Sequence, residues 1–123
     1  AYHTVHGIWT YFTADDGHVD LKESDYLGIG TLESFTKMRN YYGEDAVCPV
    51  YIQVEDGERL ARALKREREQ TNPKYEEMCR RFLADQSDFS EENILAAGIR
   101  KRFQNVDLEV CVKEIINYIK SVQ

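Results

Sequence analysis

The stretch "VYIQVEDGERLARALKRERE", residues 50–69, places an apolar strand pattern directly before a charged helical pattern. The apolar run "AVCPVYIQV" predicts a strand that is covered on both faces, and Pro49 suggests that it begins there or lies at an edge. The segment from Glu55 to Glu69 predicts a helix with Leu60, Ala63 and Leu64 on its apolar side. A strand that feeds a helix is the unit from which parallel sheets are built, so the stretch predicts an α/β fold.

The segments before this stretch predict strands and one helix. "HTVHGIWTYFTADDGHVDL" is rich in β-branched and aromatic residues and predicts a hairpin that turns at Asp15-Asp16-Gly17, with Gly17 at positive φ. "DYLGIGT", residues 25–31, predicts a short buried strand. "LESFTKMRNYYG" places apolar residues at helical spacing and ends in Gly43, a common helix terminator.

The segments after this stretch predict three helices and a strand. Asn72 and Pro73 suit the cap and first position of a helix that runs to about Ala84. A short helix follows from Ser90 to Gly98, and "RKRFQNV" predicts a last strand. The closing helix after Asp107 has the strongest periodicity in the chain, with one apolar stripe formed by Leu108, Cys111, Val112, Ile115, Ile119 and Val122.

Composition limits the class of protein. A chain of 123 residues is long enough for one compact domain, and its net charge of −6 argues against general nucleic-acid binding. It contains no apolar run of membrane-spanning length, and its first residues do not resemble a signal peptide. Three scattered cysteines without metal-ligand spacing favour a reducing cytoplasm and argue against zinc. We expect a cytoplasmic protein that binds no nucleic acid or membrane, with its oligomeric state open.

Positive charge is concentrated between residues 59 and 81, which hold eight of the 16 Lys and Arg residues. In a helix, Arg59, Arg62 and Arg66 share one face, and two helices joined by a short loop could bring Arg68 and Arg81 to the same volume. Guanidinium groups bind phosphate oxygens in pairs and stay charged at any working pH, which suits an anion site. The alternative is a solvated mixed-charge surface, with the arginines balanced by Glu58, Glu67, Glu69, Glu76 and Glu77.

The order of five segments resembles the later two-thirds of guanylate kinase. These segments are "VHGIWTYF", "YLGIGTLES", "VYIQVEDGERLARALKRERE", "YEEMCRRFLAD" and "FQNVDLEVCVKEIINYI". The resemblance implies an incomplete P-loop nucleoside monophosphate kinase-like α/β fold, a parallel sheet with flanking helices. It assigns 1–30 to the monophosphate-binding subdomain and returning strand, 31–58 to a core strand-helix-strand, 59–85 to the lid and its following helix, and 86–123 to the C-terminal core strand and helix.

The resemblance also implies a reaction, in which ATP with Mg²⁺ phosphorylates GMP to GDP, so the partners would be small-molecule nucleotides. Arg66 and Arg68 match the lid arginines, Arg81 matches the arginine of the following helix, and Asn105 matches a residue that holds adenine. The monophosphate side would be contacted by Gly7, Tyr11, Thr31 and Glu33. Thr10 stands where strict alignment expects the phosphate-binding Tyr, and Gly30 stands where the family has its guanine-binding acidic residue.

One departure limits what this chain can do alone. The phosphate loop G-x-x-x-x-G-K-[ST], which cradles the ATP phosphates, does not occur in the sequence. We therefore expect a fragment of a longer kinase that is inactive alone. The alternative function is a guanylate-kinase-like module that has lost catalysis and binds a protein or phosphopeptide through its basic cleft. An unrelated structural α/β domain with a solvated helix pair is the third alternative.

Overall fold

The computed structural model describes residues 2–5, 9–12, 17 and 19–122, and only the backbone in the first two ranges. The chain divides into two compact units, Ala1–Cys48 and Pro49–Gln123, which are considered separately below. The sequence predicted a single domain, whereas the structure divides within the predicted 31–58 segment. The assignment of four functional segments to this chain stays a prediction.

The first unit begins with a β-hairpin. Strand β1 (Tyr2–Val5) pairs antiparallel with β2 (Trp9–Phe12), with Val5 opposite Trp9. The turn predicted at Asp15-Asp16-Gly17 follows these two strands in the chain and stays a prediction. Asp15 and Asp16 lie outside the described residues, but Gly17 has the predicted positive φ of 84°.

The rest of the first unit contains one regular helix. Helix α1 (Leu32–Tyr42) begins after Thr31 and ends at Gly43, where φ is 98°, so the predicted helix and its glycine terminator are confirmed. The buried strand predicted at residues 25–31 is wrong, because Leu27 and Ile29 are 91% and 104% exposed and no strand forms there. A strand needs a neighbour to satisfy its backbone groups, and no described residue pairs with this segment.

The second unit has the order β3 (Tyr51–Gln53), α2 (Asp56–Arg68), α3 (Tyr75–Asp88), α4 (Glu91–Ala96), β4 (Arg102–Gln104) and α5 (Leu108–Val122). Strands β3 and β4 are parallel, with Ile52 opposite Phe103, and the backbone N–H of Asn105 extends the ladder to the Gln53 carbonyl at 2.9 Å. The predicted parallel pair with helices between its strands is confirmed, and the molecule is a mixed α/β protein with a small parallel sheet.

Helix α3 starts two residues later than the predicted Pro73. The Lys74 backbone N–H donates to the Glu67 carboxylate at 2.7 Å, and Lys74 adopts a non-helical conformation at the N-cap. This contact comes from the preceding helix, so the local Asn-Pro pattern does not reveal it. The short helix after Ser90, ending before Gly98 at φ 77°, is confirmed.

The core of the second unit surrounds Phe103, whose side chain is 1% exposed. The Tyr118 ring of α5 packs edge-on against it at 5.4 Å, and Cys111 of the same helix is also buried. The predicted apolar stripe of α5 is only partly covered, because Leu108, Val112 and Val122 are exposed. The expectation that β3 is covered on both faces is wrong, since Ile52 is about half exposed. Within the described residues, none of the helices has the length and apolarity needed to cross a membrane.

We expect Phe103→Ala to destabilise the protein by about 3–5 kcal/mol, because it removes a buried ring and leaves a cavity between β4 and α5. Urea unfolding followed by circular dichroism measures the change. Leu27→Ala is the matched control, since the Leu27 side chain is almost fully exposed. A Phe103→Ala variant as stable as the Leu27 control would contradict this description of the core.

Candidate functional site

Helix α2 carries most of the candidate cations, and Glu55 fixes where it begins. The Glu55 carboxylate accepts hydrogen bonds from the backbone N–H groups of Gly57 at 2.8 Å and Glu58 at 2.9 Å. These two bonds stabilise the ionised carboxylate and lower the pKa of Glu55. Gly57 leaves room for this cap, since a Cβ there would lie 3.2 Å from a Glu55 oxygen. The cap satisfies free N–H groups at the start of the helix.

Helices α2 and α3 form an antiparallel hairpin. At its base, Gln86 donates to Asp56 at 3.1 Å, and the Arg59 guanidinium lies 4.0 Å from the centre of the Phe82 ring. At its tip, Lys74 contacts Glu67 as described above. From base to tip the residue numbers rise along α2 and fall along α3, so the two helices are antiparallel.

The eight cations of residues 59–81 fall into two groups. Four are in ion pairs within their own helix: Arg59 with Asp56, Arg62 with Glu58, Arg80 with Glu76 and Glu77, and Arg81 with Glu77. The side chains of the other four form no ion pair with any described residue, and these are Lys65, Arg66, Arg68 and Lys74. The second group, called the tip cluster below, lies at the end of α2 and in the connection to α3. The structure therefore supports the mixed-charge interpretation for the four paired cations but not for the tip cluster.

The tip cluster has a signature in the sequence. Each paired cation has an acidic residue three or four positions before it, the spacing at which side chains meet on a helix. None of the four unpaired cations has one. Sequence reasoning counted Lys65 and Lys74 among the basic residues but assigned them no role. The absence of an acidic residue three or four positions before Lys65 and Lys74 would have separated these two from the paired cations.

The three predicted catalytic arginines do not meet at one point. Arg66 and Arg68 are two positions apart in α2, so their side chains leave the helix about 200° apart. Arg81 is the residue before Phe82, whose ring contacts Arg59, so Arg81 is level with about residue 60 of α2. At about 1.5 Å per residue, that position lies some 9 Å along the helix axis from Arg66. Its distance to Glu77 is 3.4 Å, with the Arg81 side chain 55% exposed. A shared phosphate for all three arginines remains a prediction.

Asn105, the predicted adenine contact in this unit, lies at the carboxyl end of β4. Its carbonyl accepts a hydrogen bond from the Arg62 guanidinium at 3.1 Å, and its N–H bonds to β3. The backbone of Asn105 is therefore fixed to both β3 and α2. Its side-chain amide has no partner among the described residues, which leaves it able to bind a ligand.

The predicted monophosphate contacts belong to the first unit. Thr31 caps α1, accepting a hydrogen bond from the Ser34 N–H at 3.2 Å, and Glu33 forms an ion pair with Lys37 at 2.9 Å. Both therefore have structural roles in α1. Gly7 lies outside the described residues, and Tyr11 is described only by its backbone in β2.

A polar cavity of about 260 Å³ lies between β3 and the helices of the second unit. Its walls include Tyr51, Phe89, Asp56 and Glu91, and it contains none of the predicted site residues. Glu91 is engaged by Arg102 in two hydrogen bonds of 2.7 and 2.6 Å, which lower the pKa of Glu91, while burial raises the pKa of Tyr51. These contacts are consistent with a structural role for the cavity walls.

The described residues were also compared with the geometry of metal sites. Across the part of the chain that the structure describes, no group of three His, Cys, Asp or Glu residues is placed to hold an ion. Comparison with known proteins gives no match, whether with protein-family models, curated proteins or solved structures.

We expect Glu55→Ala to lower stability at neutral pH, because it removes both cap hydrogen bonds. The pKa of Glu55 is lowered by folding, so its contribution is present above its ordinary pKa of about 4.3 and is lost as the pH falls through its folded value. The stability difference between variant and wild type should therefore shrink on acidification from pH 7 to pH 3. Urea unfolding at several pH values measures it, with Glu114→Ala on α5 as the control. A difference that does not change with pH would show that the carboxylate cap contributes nothing.

Proposed function

We propose that this chain is the lid and C-terminal part of a guanylate kinase-type nucleoside monophosphate kinase, in which the tip cluster binds the phosphate tail of ATP. The observation that carries the proposal is the concentration of unpaired cations at one end of the α2–α3 hairpin. Residues 65–74 hold four cations and two carboxylates, a local charge of +2 in a chain whose net charge is −6. A polyphosphate is the small ligand whose charge this arrangement complements best.

The helix end alone does not account for the cluster. Basic residues in the last turn of a helix interact favourably with its carbonyl groups, which explains part of the enrichment in Lys65, Arg66 and Arg68. Lys74 precedes α3, where a cation interacts unfavourably with the start of the helix. Its presence at the tip therefore favours an external anion as the common partner.

The two arginines of the tip have different orientations, which suits an extended ligand. Because Arg66 and Arg68 leave α2 on opposite sides, a triphosphate that passes the helix end can contact both, whereas a single phosphate cannot in this conformation. In phosphoryl transfer the protein mainly positions the groups and neutralises charge that spreads over the phosphate oxygens. Arg81 would act in the same way after leaving its weak, exposed pair with Glu77.

Asn105 supports the nucleotide rather than a simple polyphosphate as ligand. Parallel α/β sheets bind ligands at the carboxyl ends of their strands, and Asn105 is at that end of β4 with its amide unpartnered. The hydrogen bond from Arg62 to its carbonyl links this position to the helix that carries the tip cluster. An amide can donate to and accept from the edge of a purine.

The described residues do not form a complete site for ATP and Mg²⁺. The phosphate loop does not occur in the sequence, and the described residues include no group of carboxylates able to hold the ion. The proposal therefore assigns to this chain only charge neutralisation and base contact. Catalysis would require a polypeptide that also supplies the loop G-x-x-x-x-G-K-[ST].

A binding module without catalysis is the second candidate. Two observations favour it: Gly30 replaces the acidic residue that the family uses to bind guanine, and the three arginines do not converge in this conformation. Such a module would use the tip cluster to bind a phosphopeptide. It needs neither the phosphate loop nor a mobile lid.

Titration calorimetry of this chain with ATP and with AMP tests the proposal. We expect ATP to bind more tightly, since its triphosphate reaches more cations. Arg66→Ala and Arg68→Ala should each weaken ATP binding by about tenfold, the usual loss for a hydrogen bond to a charged group. Arg100→Ala, an exposed cation with no ion pair to a described residue, is the matched control and should bind ATP like the wild type. Equal ATP affinity in all four proteins would contradict a site at the tip.

Activity measurements separate the two candidates. We expect no ADP formation from ATP and GMP by this chain alone, and turnover would show that the phosphate loop is not needed. In a full-length protein that contains the loop, Arg81→Ala should lower kcat by about 10²–10³-fold without changing Tm. A full-length protein that lacks the loop and binds a phosphopeptide through Arg66 would establish the module.

A further inference from the structure

Helix α5 has an uncovered apolar ridge along one edge of its packed face. Leu108, Val112 and Ile116 are 66%, 43% and 45% exposed, and their spacing of four residues places them along one side. The packed face, with Cys111 and Tyr118, lies against β4. A row of three branched aliphatic side chains in water is unfavourable, so the ridge is a candidate contact surface.

Two unpaired charges of opposite sign flank this ridge. Glu109 near the start of α5 and Lys120 near its end are separated by eleven residues, or about three helical turns, so they lie on the same side. Neither forms an ion pair with a described residue. Lys113, also exposed, lies on the same side between them, one turn after Glu109. This side of α5 is therefore acidic at its start and basic at Lys113 and Lys120, beside the apolar ridge.

We propose that this face binds a second copy of the chain, with the two α5 helices packed antiparallel about a two-fold axis near Glu114. In this register Val112 of one protomer lies opposite Ile116 of its partner. Glu109 then falls opposite Lys120 of the partner to within one residue, about 1.5 Å along the axis. The two-fold axis repeats the pair, so one dimer contains two Glu109–Lys120 contacts.

Charge complementarity selects both the partner and the orientation. A parallel pair of α5 helices would place Glu109 opposite Glu109 and Lys120 opposite Lys120, and both contacts would be repulsive. The antiparallel pair converts both into attractions and closes the assembly at two protomers. The face is thus complementary to itself, as a two-fold interface requires. This inference does not depend on the proposed nucleotide site.

The dimer should be weak. One helix face of four turns buries less than the roughly 800 Å² per partner of a standard interface. We therefore expect a reversible dimer whose population rises with protein concentration. Its salt dependence should be measurable, because exposed ion pairs are screened.

Sedimentation velocity of the full chain over a wide range of concentrations tests the dimer. Glu109→Lys and Lys120→Glu should each raise the dissociation constant by about tenfold, since each change replaces two attractions by two repulsions. The double variant, with both charges exchanged, should restore the wild-type dissociation constant. Glu92→Lys on α4 changes the net charge by the same amount as Glu109→Lys and should have no effect.

Three results would overturn the inference. A chain that stays monomeric at every concentration has no such interface. A dimer that is insensitive to both single variants uses another surface. Two single variants that weaken the dimer without rescue in the double variant indicate a charge effect without direct pairing. Circular dichroism and thermal melting of each variant show that the fold is intact, which is expected because both positions are exposed.

Discussion

Three residues of parallel pairing between β3 and β4 hold the second unit together. The ladder joins residues 51–53 to 102–104, so everything between them, including the α2–α3 hairpin, forms the connection. Phe103 of β4 is buried against Tyr118 of α5, and the Asn105 N–H adds the last hydrogen bond to Gln53. Arg62 then fixes α2 against the end of β4. The position of the tip cluster relative to Asn105 follows from these contacts, because the helix between Arg62 and Arg68 is continuous.

The helix ends that were predicted correctly are those whose determinants are local. Helix α1 has a Thr cap and a terminal Gly within its own sequence, and α4 has Ser90 and Gly98. The errors occur where a contact with a distant residue determines whether an element forms or where it begins. The start of α3 depends on Glu67 of another helix, and the apolar run at 25–31 has a strand pattern without a described partner strand. An alternating apolar pattern indicates that a segment can form a strand. The strand forms only if a neighbouring strand pairs with it, and the pattern does not identify that neighbour.

The candidate site was predictable to a similar extent. Sequence reasoning located the basic stretch, recognised that carboxylates could neutralise it and selected Arg66, Arg68 and Arg81, but it did not separate the paired cations from the unpaired ones. The structure separates them, because the i−3 and i−4 spacing provides ion pairs for four of the cations and none for the tip cluster. The angle between Arg66 and Arg68 also follows from helical geometry once α2 is known to extend to residue 68. The partner of Asn105 could not be predicted, since Arg62 reaches it across 43 positions of sequence.

An anion site within an acidic protein has a physical consequence for selectivity. The net charge of −6 repels large polyanions such as nucleic acids, which interact with much of the surface at once. A small polyphosphate approaches closely enough to be governed by the tip cluster, because a Debye length of about 8 Å at physiological salt screens the more distant carboxylates. The ion pairs within α2 and α3 contribute to this contrast, since they neutralise the arginines that would otherwise extend the positive surface along both helices. Concentrating the unpaired charge at one helix end therefore favours a ligand of nucleotide size over a longer one.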